Sequence, residues 1–251
     1  ISMSAADIGA DCVKFQSWSA ASLYSKTYYD ENPIAKRFVD RFALSPEQLK
    51  ELSAYARSKE LAFSSTPYAE EEVDFLLEEC CVPFLKIASM ELDHLDFLSY
   101  IGRKKVPLVL STGMGTMEEI RRAVQILERA GTEQMTLLHC VSIYPTQVET
   151  LNLRNILGLR KEFPQYPIGF SDHTEGDAAA IAAVALGAAL VEKHLTLDRT
   201  KVGMDNGMAT EPEPFRQMVA SCRMVQEGLG IEERIVYPEE MKQRRKMRRS
   251  V

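Results

Sequence analysis

The chain has 251 residues, a formal net charge of −6 and 45% hydrophobic residues, enough for one large core or two small ones. The acidic balance argues against general nucleic-acid binding. No apolar run approaches the roughly 20 residues that cross a bilayer, and no secretory hydrophobic segment opens the sequence.

In chain order, ISMSAADIGA reads as the second half of a helix that leads into a strand at 11–16, DCVKFQ. SPEQLKELSAYARSKEL opens a helix with Ser45 as N-cap, Pro46 at the first helical position and Gln48 at the capping-box position. Strand patterns follow at 62–68 (AFSSTPY), 83–89 (PFLKIAS) and 107–113 (PLVLSTG). TMEEIRRAVQILERAG is a helix from Thr116, with Glu119 three residues on and a stop at Gly131. Strands at 135–142 (MTLLHCVS), 167–173 (PIGFSDH) and 189–196 (ALVEKHLT) precede a last helix, PEPFRQMVASCRMVQEGLG, ending near Gly230. The basic stretch KQRRKMRRS, Lys242 to Ser250, reads as a solvated linker or tail. Five cysteines (Cys12, Cys80, Cys81, Cys140, Cys222), without a C-x-x-C pair, read as reduced thiols of a cytoplasmic protein, not a disulfide frame or zinc site.

Repeated strand–helix units with apolar strands imply a parallel sheet covered by helices. Seven strands over about 190 residues fit a (β/α)₈ TIM barrel better than an open doubly wound sheet, the alternative architecture. An eighth strand is missing and is expected upstream of Ile1. Residues 1–235 are read as the barrel domain and 236–251 as a linker.

In a barrel the chemistry gathers at the carboxyl ends of the strands. With a period of two, Lys14 shares a face with Gln16, Ser64 with Thr66, Ser171 with His173, and Glu192 with His194. Ser142 shares one with Cys140, and Ser111 with Gly113; Ser89 stands at the turn beyond Lys86. Two mid-strand lysines either snorkel outward between helices or point inward. Pointing inward, with hydroxyls and backbone donors around them, they form an anion pocket for a phosphate, or for a phosphate and a carboxylate.

His173 and His194 are 21 residues apart, one strand–helix unit, so they stand on neighbouring strands at one rim. Each is either a satisfied polar group or half of an open site for a divalent cation such as Mn²⁺ or Mg²⁺. His94 and His139 are read as structural. Asp205, before Asn206 and Gly207 in a long loop, is either a turn residue or a carboxylate lowered over the pocket.

KFQ, FSSTPY, KIAS, LSTGM, SIYPTQ, GFSDHT, EKHLTLD and GMD occur here in one order. In that order they resemble the sialic acid synthase (N-acetylneuraminate synthase) family, with its legionaminic and pseudaminic acid synthases and spore-coat polysaccharide synthases. The resemblance implies a TIM-barrel transferase that condenses phosphoenolpyruvate with the open-chain aldehyde of an N-acetylated amino sugar, giving a nonulosonic acid and phosphate. It implies that Lys14 and Lys86 grip phosphoenolpyruvate with Thr66, Ser89, Ser111, Ser142 and Ser171. His173 and His194 would bind the metal, Mn²⁺ first, with Mg²⁺ or Co²⁺ as alternatives. Gln16, Glu91, Tyr144 and Asp205 would line the sugar side, with Lys14, Lys86 and Asp205 catalytic. A homodimer is also implied. The family's E-I-G-x-N-H-x-G motif and its C-terminal antifreeze-like domain are not in this sequence, and some members carry Asn at the Ser142 position. Two alternatives stay open: a synthase of another 3-deoxy sugar acid acting on a phosphorylated aldose, and a non-catalytic degenerate barrel.

Overall fold

The computed structural model describes residues 2–249. Helix α1 (Ser2–Asp7) leads into β1 (Cys12–Gln16). Three short helices follow, α2 (Ala20–Leu23), α3 (Lys26–Glu31) and α4 (Pro33–Phe42), then α5 (Pro46–Ser58) and β2 (Ala62–Thr66). From there helix and strand alternate: α6 (Glu70–Glu78), β3 (Leu85–Ile87), α7 (Leu95–Arg103), β4 (Leu108–Ser111), α8 (Met117–Ala130) and β5 (Met135–Cys140). The series continues with α9 (Asn155–Glu162), β6 (Ile168–Asp172), α10 (Ala178–Ala185), β7 (Val191–Lys193), α11 (Pro212–Gly228) and α12 (Pro238–Met247).

The helix starts obey the local chemistry. Ser45 with Gln48, and Thr116 with Glu119, form reciprocal capping boxes at α5 and α8. Such a cap is worth about 1 kcal/mol. Gly131 ends α8 at φ 114°, a left-handed conformation open to glycine. Strands β4 and β6 are buried on both faces, as a parallel sheet under helices requires. Outside them, Leu98 and Ile101 of α7 and Ala123 and Leu127 of α8 are fully buried.

Strand order decides the architecture. β1 pairs with β2, and β3 to β7 pair in chain order, every ladder parallel. The Ser64 hydroxyl donates to the Phe84 carbonyl at 2.9 Å, tying β2 to the chain entering β3. A doubly wound sheet would reverse its order at a switch point. This one runs in a single sense and curls, as a barrel does. The backbone ladder is interrupted between β2 and β3, and the curl is open between β1 and β7: β1 pairs only with β2, and β7 only with β6. Between them lies a cavity of about 1060 Å³, walled by Asp11 to Gln16, by Ala188 to Leu195 and by residues of α1 and α11. Among the described residues there are seven strands, and none closes that side.

The strands are shorter than the apolar pattern implied, mainly at their carboxyl ends. Tyr68, Ser89, Gly113, Ser142, His173 and Thr196 fall just beyond the strands, in the segments that leave the sheet. Helices α2 to α4, between β1 and α5, were not foreseen. The segment read as a linker contains α12, whose ten residues are all exposed. Pro238 at its start, Glu239 and Glu240 in its first turn, and Arg244 to Lys246 in its last suit the helix dipole. Residues 250 and 251 of that segment lie outside the described range. All five cysteines are free thiols. No described helix is long and apolar enough to cross a membrane.

Candidate active site

Lys14 and Lys86 both point into the barrel and meet at one carboxylate. Glu192 of β7 places one oxygen 3.8 Å from Lys14 Nζ and the other 3.6 Å from Lys86 Nζ. The Ser171 hydroxyl donates to Glu192 at 2.8 Å, and Lys86 donates to the Ser111 hydroxyl at 2.7 Å. Burial pulls the Lys86 ammonium below the usual lysine range, with Glu192 acting against it. Burial would raise the Glu192 carboxyl, but Lys86, Lys14 and the Ser171 bond bring it down to about 2. The outward-snorkelling reading of the lysines is thereby excluded.

Beside Lys86 the turns after β3, β4 and β5 converge. The Gly113 amide donates to the Ser89 hydroxyl at 2.9 Å. A Cβ on Gly113 would collide with the Ser142 hydroxyl and come within 2.9 Å of Ser89 Oγ and 3.2 Å of Cys140 Sγ. Glycine is required here by close approach, not by dihedral angle. Two hydroxyls, a thiol and a bare backbone therefore line one concave corner.

The imidazoles face each other across the neighbouring strand ends. The His173 and His194 ring centroids are 5.5 Å apart, and Tyr144 roofs them at 4.3 Å from His173 and 6.2 Å from His194. His173 Nδ1 lies 2.8 Å from the Val141 carbonyl, so it carries the proton and leaves Nε2 facing Ser171. Burial, Lys14 and His173 hold His194 down to about 3, so it is neutral at ordinary pH. Burial also lowers His173, but the adjacent Cys140 thiol outweighs it and the balance is upward. Burial raises Cys140, while His173 and Lys86 bring it below the usual thiol range.

Asp205 is carried over this pair by a loop that leaves β7 and returns. Thr210 donates to the His194 carbonyl at 2.8 Å, and Thr196 donates back to Thr210 at 3.0 Å. Asn206 knits the loop with bonds to the Asp198 and Lys201 carbonyls at 2.6 and 2.7 Å. Asp205 Oδ2 then lies 3.9 Å from His194 Nδ1, and burial raises its carboxyl. Asp205 thus sits in a bonded loop turn and also lines the cavity.

Gln16 lines the same cavity from β1, and buried Thr66 is its register partner on β2. Glu91 lies buried in the turn after β3, two residues past Ser89, with its carboxylate 2.9 Å from His94 Nδ1. His139 Nε2 is spent on the Leu151 carbonyl at 2.8 Å, a structural bond as expected. The joint of the site is Glu192. Its face was legible from its spacing to His194, but its partners are on β1 and β3, beyond any local pattern.

Among the described residues no three His, Cys, Asp or Glu side chains close on one point, so the imidazole pair is an open arrangement. Its donors nonetheless fit a divalent cation: one ring is oriented by a carbonyl on its other nitrogen, and the other is held neutral.

The profile of the NeuB family matches residues 2–234. An uncharacterised protein of Methanocaldococcus jannaschii is 40% identical over 92% of this chain and 67% of its own length. N,N'-diacetyllegionaminic acid synthase of Campylobacter jejuni is 36% identical over 90% of this chain and 70% of its own. The crystal structure of N-acetylneuraminic acid (sialic acid) synthetase from Leptospira borgpetersenii superposes with a TM-score of 0.87 at 30% identity. That match covers 99% of this chain and 86% of the other. Sequence from residue 2 to residue 234 and the single-sense curled sheet agree: the chain belongs to the NeuB family.

Proposed function

We propose that this chain forms the barrel of a synthase that condenses phosphoenolpyruvate with an N-acetylated amino sugar to give a nonulosonic acid and phosphate. Named relatives that make legionaminic, pseudaminic and sialic-type acids support the reaction class. One observation carries the reading to these residues: two ammonium groups from different strands converge on one internal carboxylate, beside a glycine-lined hydroxyl corner and a pair of imidazoles.

The chemistry divides by location. Lys14 and Lys86 neutralise the phosphate and carboxylate of phosphoenolpyruvate, in a protein whose net charge of −6 would repel them. Ser89, Ser111, Ser142 and Ser171 supply hydroxyls around it, and Thr66 closes the β2 side. Gln16, Tyr144 and Asp205 bound the space left for the sugar. C3 of the enolpyruvate forms the new bond to the aldehyde carbon, water adds at C2, and phosphate leaves with cleavage of its C–O bond. His173 and His194 would hold a divalent cation, Mn²⁺ first, whose Lewis acidity polarises the aldehyde. The ammonium groups act where charge develops on the departing phosphate.

The test is phosphate release from phosphoenolpyruvate by the full-length protein with Mn²⁺, offered N-acetylmannosamine, its 6-phosphate, other N-acetylated hexosamines, or phosphorylated aldoses lacking nitrogen. Release with an N-acetylated sugar, abolished by chelator and restored by Mn²⁺, is expected. Release only with a nitrogen-free aldose, or with none, rejects the reading.

A further inference from the structure

The residues next to the two histidines do something that neither the anion pocket nor the imidazole pair uses. Side chains alternate along a strand, so Asp172 and Lys193 face away from the barrel interior while His173 and His194 face into it. Val191 and Leu195, of the same parity as Lys193, pack against the apolar cluster of Ile8, Ala180 of α10, and Phe215 and Met218 of α11, which fixes that side as the outer one. β6 and β7 set Asp172 opposite Lys193 in register. Their side chains pair at 2.7 Å, 0% and 2% exposed.

Every polar atom of the pair facing Thr174 is also engaged. Asp172 Oδ1 accepts from the Thr174 amide and from the Thr174 hydroxyl, each at 2.8 Å. Lys193 donates to the Thr174 carbonyl at 2.8 Å. His173 is therefore clamped between two residues locked to β7, the strand that carries Lys193 and, one residue further, His194.

A buried ion pair is a poor device for stability alone, since well-packed apolar residues of similar volume commonly serve as well or better. Val191 and Leu195 show that this face accepts apolar side chains. We infer that Asp172 and Lys193 are positioning residues, a latch behind the sheet that fixes the separation and orientation of His173 and His194 toward a shared divalent cation. The inference rests on the metal reading of that pair.

The experiment is Mn²⁺ titration of the full-length protein by calorimetry, with inorganic phosphate titrated in parallel as a probe of the lysine pocket. The double variant Asp172→Leu/Lys193→Met is expected to fold and to bind phosphate within about twofold of wild type. It should bind Mn²⁺ about ten- to a hundredfold more weakly, the range seen when partners behind metal ligands are removed. Asp172→Asn/Lys193→Gln, which keeps a hydrogen bond across the strands, should recover most of that loss. Equal Mn²⁺ affinity in wild type and the Leu/Met variant overturns the inference and leaves the metal reading standing. A wild type that takes up no Mn²⁺ overturns both. If the Leu/Met variant does not fold, Thr174→Val decides: it removes only the hydroxyl bond to Asp172. A severalfold loss of Mn²⁺ affinity then supports the latch, and unchanged affinity refutes it.

Discussion

Glu192→Gln removes the carboxylate that faces both site lysines. At an effective dielectric of about 20, charges 3.8 and 3.6 Å apart attract by about 4 to 5 kcal/mol each before solvation. Most of that is offset by taking the charges out of water. The net is better read from titration. The carboxyl moves from 4.5 to about 2, a displacement of roughly 2.5 pH units, which at 1.36 kcal/mol per unit is about 3 kcal/mol. Because the folded carboxyl is the more acidic, this stability is fully present above pH 4.5 and is lost as the pH falls through 2. Denaturant unfolding at pH 7 should find Glu192→Gln about 3 kcal/mol less stable, with the gap narrowing steadily below pH 4.5. The same carboxylate competes with substrate for the lysines. Removing a charge about 6 Å from a bound anion, at a dielectric of about 40, is worth about 1.4 kcal/mol, so inorganic phosphate should bind roughly tenfold tighter. Equal stability at pH 7, a gap independent of pH, or weaker phosphate binding would refute the counter-ion role.

Lys14→Ala and Lys86→Ala should raise the KM for phosphoenolpyruvate at least tenfold or abolish turnover; variants that bind it normally would remove the anion pocket. Gly113→Ala drives a methyl group into Ser142, Ser89 and Cys140, so it should weaken phosphate binding while Mn²⁺ affinity, measured by calorimetry, stays near wild type. In metal-free protein His194 is more acidic folded than unfolded, so the wild type loses stability as the pH falls from 6.5 toward 3. At pH 5, 1.5 units below 6.5, that loss is about 2 kcal/mol, and denaturation of His194→Gln should show it missing.

The barrel was legible because each strand is an apolar run and helical patterns lie between the runs; Ser45, Thr116 and Gly131 mark boundaries the structure reproduces. The inward faces followed from the period of two, which put Lys14, Ser171, Glu192 and His194 on the right side. What spacing could not show was mutual contact across the barrel. Glu192 between two lysines depends on how far the sheet curls, and Gly113 against Ser142 on how closely two neighbouring turns approach. The outward parity of Asp172 and Lys193 hid their pairing, since a charged residue on that face reads as solvated until α10 and α11 cover it. Tyr144 and Asp205 ride on loops: the loop pattern left Asp205 open between a turn and the pocket, and only the family resemblance pointed to Tyr144. Glu91, taken from the same resemblance, lies with His94, where a short turn after β3 directs it.

The gap between β1 and β7 bears on the site itself. Lys14 hangs on one of its banks, and Glu192 and His194 belong to the other. A strand with one free flank has alternate amides without a ladder partner, and it serves as a template for any extended chain that reaches it. Lys14, Glu192 and His194 thus stand on ribbons laddered on one flank only, and their precision is governed by how firmly a neighbour zips those ribbons together. Amide exchange along Cys12–Gln16 and Val191–Lys193 therefore reads out the rigidity of the chemistry as well as the integrity of the fold.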